Sequence, residues 1–214
     1  GNKAAVSIRA RIGDQTVCFI SAHLAAHRGS GPAITRTEHI TYTLQHLAFY
    51  GCVEYGNING RNGQQYNCCS DANNDNHQQA LLSSNKVQGG GKEIASLEVV
   101  DHDLCILLGD LNSRMREDVD QSTVRDVIQS YGSGYASGHQ TNHGEIANKM
   151  LSWDEFKSEP MASTLSNLRF QEGPITFSPT YKLTPKTSKY HVPPVQNPKK
   201  VFNHCPAWCD RILY

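Results

Sequence analysis

The chain has 214 residues, 20 Lys+Arg against 20 Asp+Glu and no formal net charge, with 38% of its residues hydrophobic. That length suits one sizeable domain, and the balanced charge excludes a bulk electrostatic pull toward any one partner. There is no signal peptide and no apolar run of the roughly eighteen residues that a membrane-spanning helix needs.

From the N-terminus, Val6, Ile8, Ala10 and Ile12 alternate with Ser7, Arg9 and Arg11, which predicts a half-buried strand over residues 4–12. Gly13-Asp14-Gln15 is a turn signal, and residues 16–20 read as a second strand that pairs with the first as a hairpin. Ser21 to His27 follows its end. Ile40, Leu44 and Leu47 at helical spacing predict a helix over 35–49.

Residues 51–97 are rich in Asn and Gly and end near Gly89-Gly90-Gly91, so they are expected to be a disordered insertion with no chemistry of its own. Residues 103–108 then form an apolar strand that stops at Gly109. Helices are predicted over 119–131 and over 145–168, the latter interrupted at Pro160. A short strand at Ile175-Thr176-Phe177 precedes an irregular Pro-containing loop, and residues 207–214 read as a final buried strand. The fold class is α/β (α+β).

The seven cysteines show no repeating frame, and Cys18 and Cys105 lie inside strand-like runs. Both features point to a reducing, intracellular setting. Cys205, Cys209 and His204 are close in sequence, but their spacing is wrong for a paired zinc motif. Residues 173–209 contain lysines and no acid, while the region around Asp110 is acidic, a distribution that suits an anionic substrate together with a cation.

Three strand ends carry polar groups: His23, Asp110 with Asn112, and Asp210 beside Arg211. On a period-two backbone Asp110 and Asn112 point the same way. A carboxylate that takes a proton from water and an amide that holds an oxygen suit hydrolysis at phosphorus, with a histidine to neutralise a phosphoryl oxygen. Gly-Asp-x-Asn is also a common turn in which Asp and Asn bond their own backbone, and both readings stay open at this level.

"SAHLAAH" from Ser21, "LLGDLNSR" from Leu107, "FQEGPITFSPTYK" from Phe170 and "PAWCDRIL" from Pro206 follow Gly1-Asn2-Lys3 in that order. This set resembles the catalytic domain of the inositol polyphosphate 5-phosphatases, within the superfamily that includes deoxyribonuclease I. The resemblance implies a two-sheet sandwich flanked by helices, of which residues 1–214 are part, and a Mg2+-dependent phosphatase. It implies that Asp110 orients or deprotonates the attacking water, Asn112 steadies the scissile phosphate, His23 contacts it, and Asp210 orients a histidine that follows Tyr214. Tyr181 and Lys182 would hold a neighbouring ring phosphate, with Asn2 and Lys3 on the same rim; Arg114 and Arg211 would be structural braces.

The family's metal-binding asparagine and glutamate are expected before Gly1, so the isolated chain is expected to be inactive, with no metal ligand of its own. The implied partners are a phosphoinositide headgroup or a soluble inositol phosphate at the cytosolic face of a membrane, not nucleic acid; a non-catalytic phosphoinositide-binding or scaffolding module is the alternative. Phe202 and His204 stand where basic residues are usual, which leaves the preferred inositide open.

Overall fold

A computed structural model describes residues 2–58, 61–67, 93–120, 123, 126–127, 143–187, 189–191 and 204–214. The chain forms two compact units, Gly1–Thr43 with Asp103–Tyr214, and Leu44–His102.

The first unit is built on a four-stranded sheet of β1 (Ala4–Ile12), β2 (Gln15–His23), β6 (Leu104–Asp110) and β7 (Asp210–Leu213), in the order β1-β2-β6-β7. The predicted hairpin is present. Ile12 pairs with Gln15, and Gly13 takes the left-handed φ of 62° that so tight a loop demands. β2 then runs parallel to β6, and β7 antiparallel to it. The inner face carries Cys18, Ile20, Leu107 and Leu213, each at most 2% exposed, and Ile40, Met161 and Phe156 add to the buried core. Each such aliphatic side chain removed from water stabilises the fold by about 1.5–3 kcal/mol. The other face presents Val6, Ile8, Ile12 and Ile212, all more than 60% exposed.

Two buried carboxylates tie the loops to this sheet. Glu155 takes a two-bonded fork from Arg36 at 2.6 and 2.7 Å, and the same guanidinium donates to the carbonyls of Ala25 and His27. Asp154 accepts from Ser113 Oγ (2.7 Å) and Arg211 Nη1 (2.8 Å), and Arg211 also forks onto Glu172. Burial pushes the Asp154 carboxyl up, against the pull of Arg211 and Ser113. Burial also opposes the Arg211 charge, but Glu172 and Asp154 overcome it and hold that pKa above its ordinary value. A buried pair of this kind costs about 3–5 kcal/mol when one partner is removed, because the other charge is then stranded.

The structure departs from several sequence expectations. The helix expected over 35–49 is α1, Ser30–His46. It starts earlier because Pro32 suits a first turn and the Ser30 amide is bonded by Glu117. The helix expected over 145–168 is two, α2 (His143–Leu151) and α3 (Met161–Asn167). The chain leaves the helix between them so that Asp154 and Glu155 can meet their arginines, and Asp154 caps the short turn Glu155–Lys157 through the Phe156 amide.

Residues 175–177 form no strand; flanked by Pro174 and Pro179, they lie against Trp208, whose indole donates to the Phe177 carbonyl at 2.8 Å. Within 51–97, where disorder is expected, β3 (Ala48–Ile58), β4 (Arg61–Asn67) and β5 (Glu93–Glu98) form a three-stranded sheet of the second unit, in the order β4-β3-β5. Residues 59–60 and 68–92 lie outside the described residues, as does most of the helix expected over 119–131.

β6 does not stop at Gly109. Its pairing continues to Asp110 against both neighbours. Gly109 has φ 123°, and a Cβ there would lie 2.4 Å from the Ala22 carbonyl oxygen and 3.1 Å from its nitrogen. Gly109→Ala therefore forces β2 and β6 apart as well as straining the backbone, a cost of about 2–5 kcal/mol. Urea unfolding of the variant is expected to show that loss, and an unchanged midpoint would contradict this packing.

Candidate active site

The sheet register assembles the site. Ala4 pairs with His23, His23 with Asp110, and Asp110 with Asp210, so one row crosses all four strands. Residues directly opposite on paired strands project from the same face. A histidine and two carboxylates thus share one edge of the sheet, although they come from segments far apart in sequence.

His23 Nε2 lies 3.4 Å from Asp110 Oδ2 and 2.6 Å from Lys3 Nζ. His23 Nε2 therefore faces an amine and a carboxylate at once. Burial lowers the Lys3 pKa, Asp110 partly restores it, and Arg114 and Arg36 lower it further. His23 and Asp110 side chains are 44% and 42% exposed, open enough for a ligand to reach.

Asn112 arrives differently from the way strand alternation suggests. The strand has ended, Asn112 takes a φ of 54°, and the residue is only 3% exposed. Its amide N–H bonds Asp110 Oδ1 at 3.1 Å and the Cys209 carbonyl at 3.1 Å. The Gly-Asp-x-Asn segment is therefore a turn bonded to its own backbone and part of the cluster at once. The Asn112 side chain is held at both ends, with Nδ2 donating to the Leu24 carbonyl (3.2 Å) and Oδ1 accepting from Arg114 Nη2 (2.5 Å).

Arg114 brings Tyr181 into the same neighbourhood: its guanidinium carbon sits 3.8 Å from the ring centroid. Tyr181 is further fixed by mutual backbone bonds with Ala207, and the Asp210 amide donates to Thr180 Oγ1 at 3.2 Å. Lys182 is half-buried beside Tyr181, and Asn2 is exposed beside Lys3. Among the described residues neither side chain is bonded to the cluster, so the structure brings Lys3, His23, Asp110, Asn112, Asp210 and Tyr181 together and leaves these two at its margin. His204 contributes a contact to Tyr181 Oη at 3.4 Å and packs edge-on against His191. Phe202 lies outside the described residues.

Two residues that sequence reasoning gave lesser roles or passed over, Arg114 and Asp154, prove to connect the others. Arg114 was legible as the last residue of LLGDLNSR and was expected to be a structural brace. Asp154 lies in an apparently helical stretch, and only the acid pair Asp154-Glu155 ahead of Pro160 marked it.

No group of three or more His, Cys, Asp and Glu is arranged to hold a metal ion among the described residues. Two carboxylates, Asp110 and Asp210, fall short of the near-octahedral oxygen set that magnesium needs, so these side chains alone do not fit it. Zinc at Cys205 and Cys209 is disfavoured too. Both thiols are buried, and burial pushes each up to about 12, away from the thiolate a zinc ion requires.

The family model described as Endonuclease/Exonuclease/phosphatase family 2 matches residues 1–214. The type IV inositol polyphosphate 5-phosphatase 9 of Arabidopsis thaliana is 26% identical over 216 residues, covering 100% of this chain and 38% of its own. The human phosphatidylinositol 4,5-bisphosphate 5-phosphatase A is 28% identical over 215 residues, of which this chain spans 15%. The chain thus corresponds to well under half the length of these relatives. Among solved structures, the inositol polyphosphate 5-phosphatase domain of a synaptojanin, in complex with inositol (1,4)-bisphosphate and calcium ion, superposes with a TM-score of 0.57 at 22% identity, covering 100% of this chain and 43% of that one. That likeness establishes the expected deoxyribonuclease-I-like α/β fold. The chain belongs to the endonuclease/exonuclease/phosphatase family 2, and inositol polyphosphate 5-phosphatases are among its relatives.

Proposed function

We propose that this chain supplies the phosphate-handling part of a magnesium-dependent phosphatase that removes the 5-phosphate from phosphoinositides or soluble inositol polyphosphates. The observation that carries the reading is the single row of His23, Asp110 and Asp210 across β2, β6 and β7, with Asn112 folded in behind it. The identity of the relatives and the inositol bisphosphate in the complex of the structural neighbour support the substrate class.

In this reading Asp110 orients a water molecule and takes its proton as the oxygen attacks phosphorus. The ester P–O bond breaks, the inositol alkoxide takes up one proton from solvent to become a hydroxyl while Asp110 gives its own proton back to solvent, and inorganic phosphate is released. Asn112 offers a side-chain N–H to a phosphoryl oxygen as charge builds there, and Lys3 with His23 faces the same anion; donors already in place need no reorganisation during the reaction. Asp210 orients a histidine, a role for which no described histidine is bonded to it. Tyr181 and Lys182 receive a neighbouring ring phosphate, with Asn2 beside Lys3 at the rim. A magnesium ion would supply Lewis acidity to the phosphoryl group, and we assign it no ligand within the described residues.

The same chemistry would place the enzyme as a peripheral protein at the cytosolic face of a membrane; no described helix is long and apolar enough to cross one. A second reading, a phosphoinositide-binding module without turnover, draws on the lack of a three-ligand metal group among the described residues.

Asp110→Asn in the full-length protein is expected to lower phosphate release by about a thousandfold, within the span of general-base losses, with the melting temperature little changed. Near-wild-type turnover would remove Asp110 from its role. Titrating magnesium into the 214-residue chain is expected to yield less than about 1% of the full-length rate, because the described residues arrange no three-ligand group for the Lewis acid. Equal rates would contradict that, binding without turnover in the full-length protein would favour the module, and faster cleavage of duplex DNA than of an inositol phosphate would point to a nuclease.

A further inference from the structure

We infer that Arg114 is a positioning residue: it locks the Asn112 amide and the Tyr181 ring into one rigid unit, so that the group facing the scissile phosphate and the group facing the neighbouring phosphate keep a fixed spacing. The inference rests on the functional reading above.

Three observations carry it. Asn112 is clamped by two partners of opposite polarity, the Leu24 carbonyl on Nδ2 and the Arg114 guanidinium on Oδ1. A donor on one end and an acceptor on the other fix which way the amide points, leaving its second N–H as the group on offer. Removing Arg114 leaves Oδ1 unbonded and frees the amide to turn.

The same guanidinium carbon lies over the Tyr181 ring, 3.8 Å from its centroid, a contact that a planar delocalised cation makes more readily than an ammonium. Finally, Arg114 is only 7% exposed, its Nε is buried without a hydrogen-bond partner, and no carboxylate forms an ion pair with it among the described residues. By contrast, the other buried arginines among the described residues, Arg36 and Arg211, are each matched to a carboxylate. A buried cation left without its anion is costly unless another anion completes it. Here that anion is the phosphorylated ring, bound between Asn112 and Tyr181.

The test uses the full-length protein with a soluble inositol polyphosphate carrying a 5-phosphate. Arg114→Met is expected to lower kcat about 30- to 100-fold, the scale seen when a transition-state donor is misplaced, with KM changed by less than about threefold. Arg114→Lys should restore little of it, because lysine keeps the charge but loses the planar fork. Guanidinium chloride at low millimolar concentration should recover part of the turnover of Arg114→Ala, whereas a variant merely unfolded would worsen.

Independently of activity, the side-chain amide resonances of Asn112, followed by selective asparagine labelling, should shift in Arg114→Lys while those of other asparagines stay in place. Turnover within about threefold of wild type in Arg114→Met, or Asn112 resonances that do not move, would overturn the inference. If the wild-type protein releases no phosphate at all, the functional reading fails, and the Asn112 resonances alone decide whether Arg114 holds the amide.

Discussion

The parallel pairing of β2 with β6, set so that His23 stands opposite Asp110, is the constraint on which the rest depends. Two strands separated by about eighty residues of sequence must end at the same level for an imidazole and a carboxylate to come within 3.4 Å. A one-residue slip would turn every side chain to the other face and scatter the cluster. Gly109 makes the final step possible, since the backbone at that point passes so close to Ala22 that no β-carbon fits. β7 then extends the row with Asp210, and the Lys3 side chain closes it from the segment ahead of β1.

Around that row the protein spends its buried charges on loops, not on the sheet itself. Asp154 receives Ser113, the residue after Asn112, and Arg211, the residue after Asp210. One carboxylate therefore anchors the two chain segments that carry the candidate site residues Asn112 and Asp210. Glu155 does the same for the chain after His23, through Arg36 and the carbonyls of Ala25 and His27. Ion pairs this deeply buried are poor sources of net stability, yet they hold geometry well, because any displacement strands a charge. Loops fixed in this way can carry a site whose own members remain half open to solvent.

Much of this was legible in the sequence, and the remainder was not for identifiable reasons. Alternation along residues 4–12 and the Gly13 turn gave the hairpin, because pattern and turn chemistry are both local. The polar residues at strand ends, read with the motifs around them, gave His23, Asp110, Asn112 and Asp210. The pairing of β6 beyond Gly109 was missed because glycine normally marks an end, and the backbone contact that requires it here comes from a strand far away. The break between α2 and α3 was placed at Pro160, too late. Asp154 and Glu155 look like surface helix residues until their arginines, 57 and 119 positions away, are known. Asn112 reaches the cluster by a geometry other than the one expected: it turns in from a left-handed residue and does not alternate along a strand. Composition over 51–97 pointed away from order, yet strand pairing over 48–58, 61–67 and 93–98 follows from backbone register, which composition does not encode.

The central claim is that a carboxylate, a carboxamide and an imidazole from separate segments surround one phosphorus atom. A crystal structure of the full-length protein with a soluble inositol polyphosphate tests it most directly. The account predicts a phosphoryl group within hydrogen-bonding reach of Asn112 Nδ2 and His23, with Asp110 beside it and the inositol ring toward Tyr181. A phosphate bound elsewhere, with the edge formed by His23, Asp110 and Asp210 left bare, would contradict it.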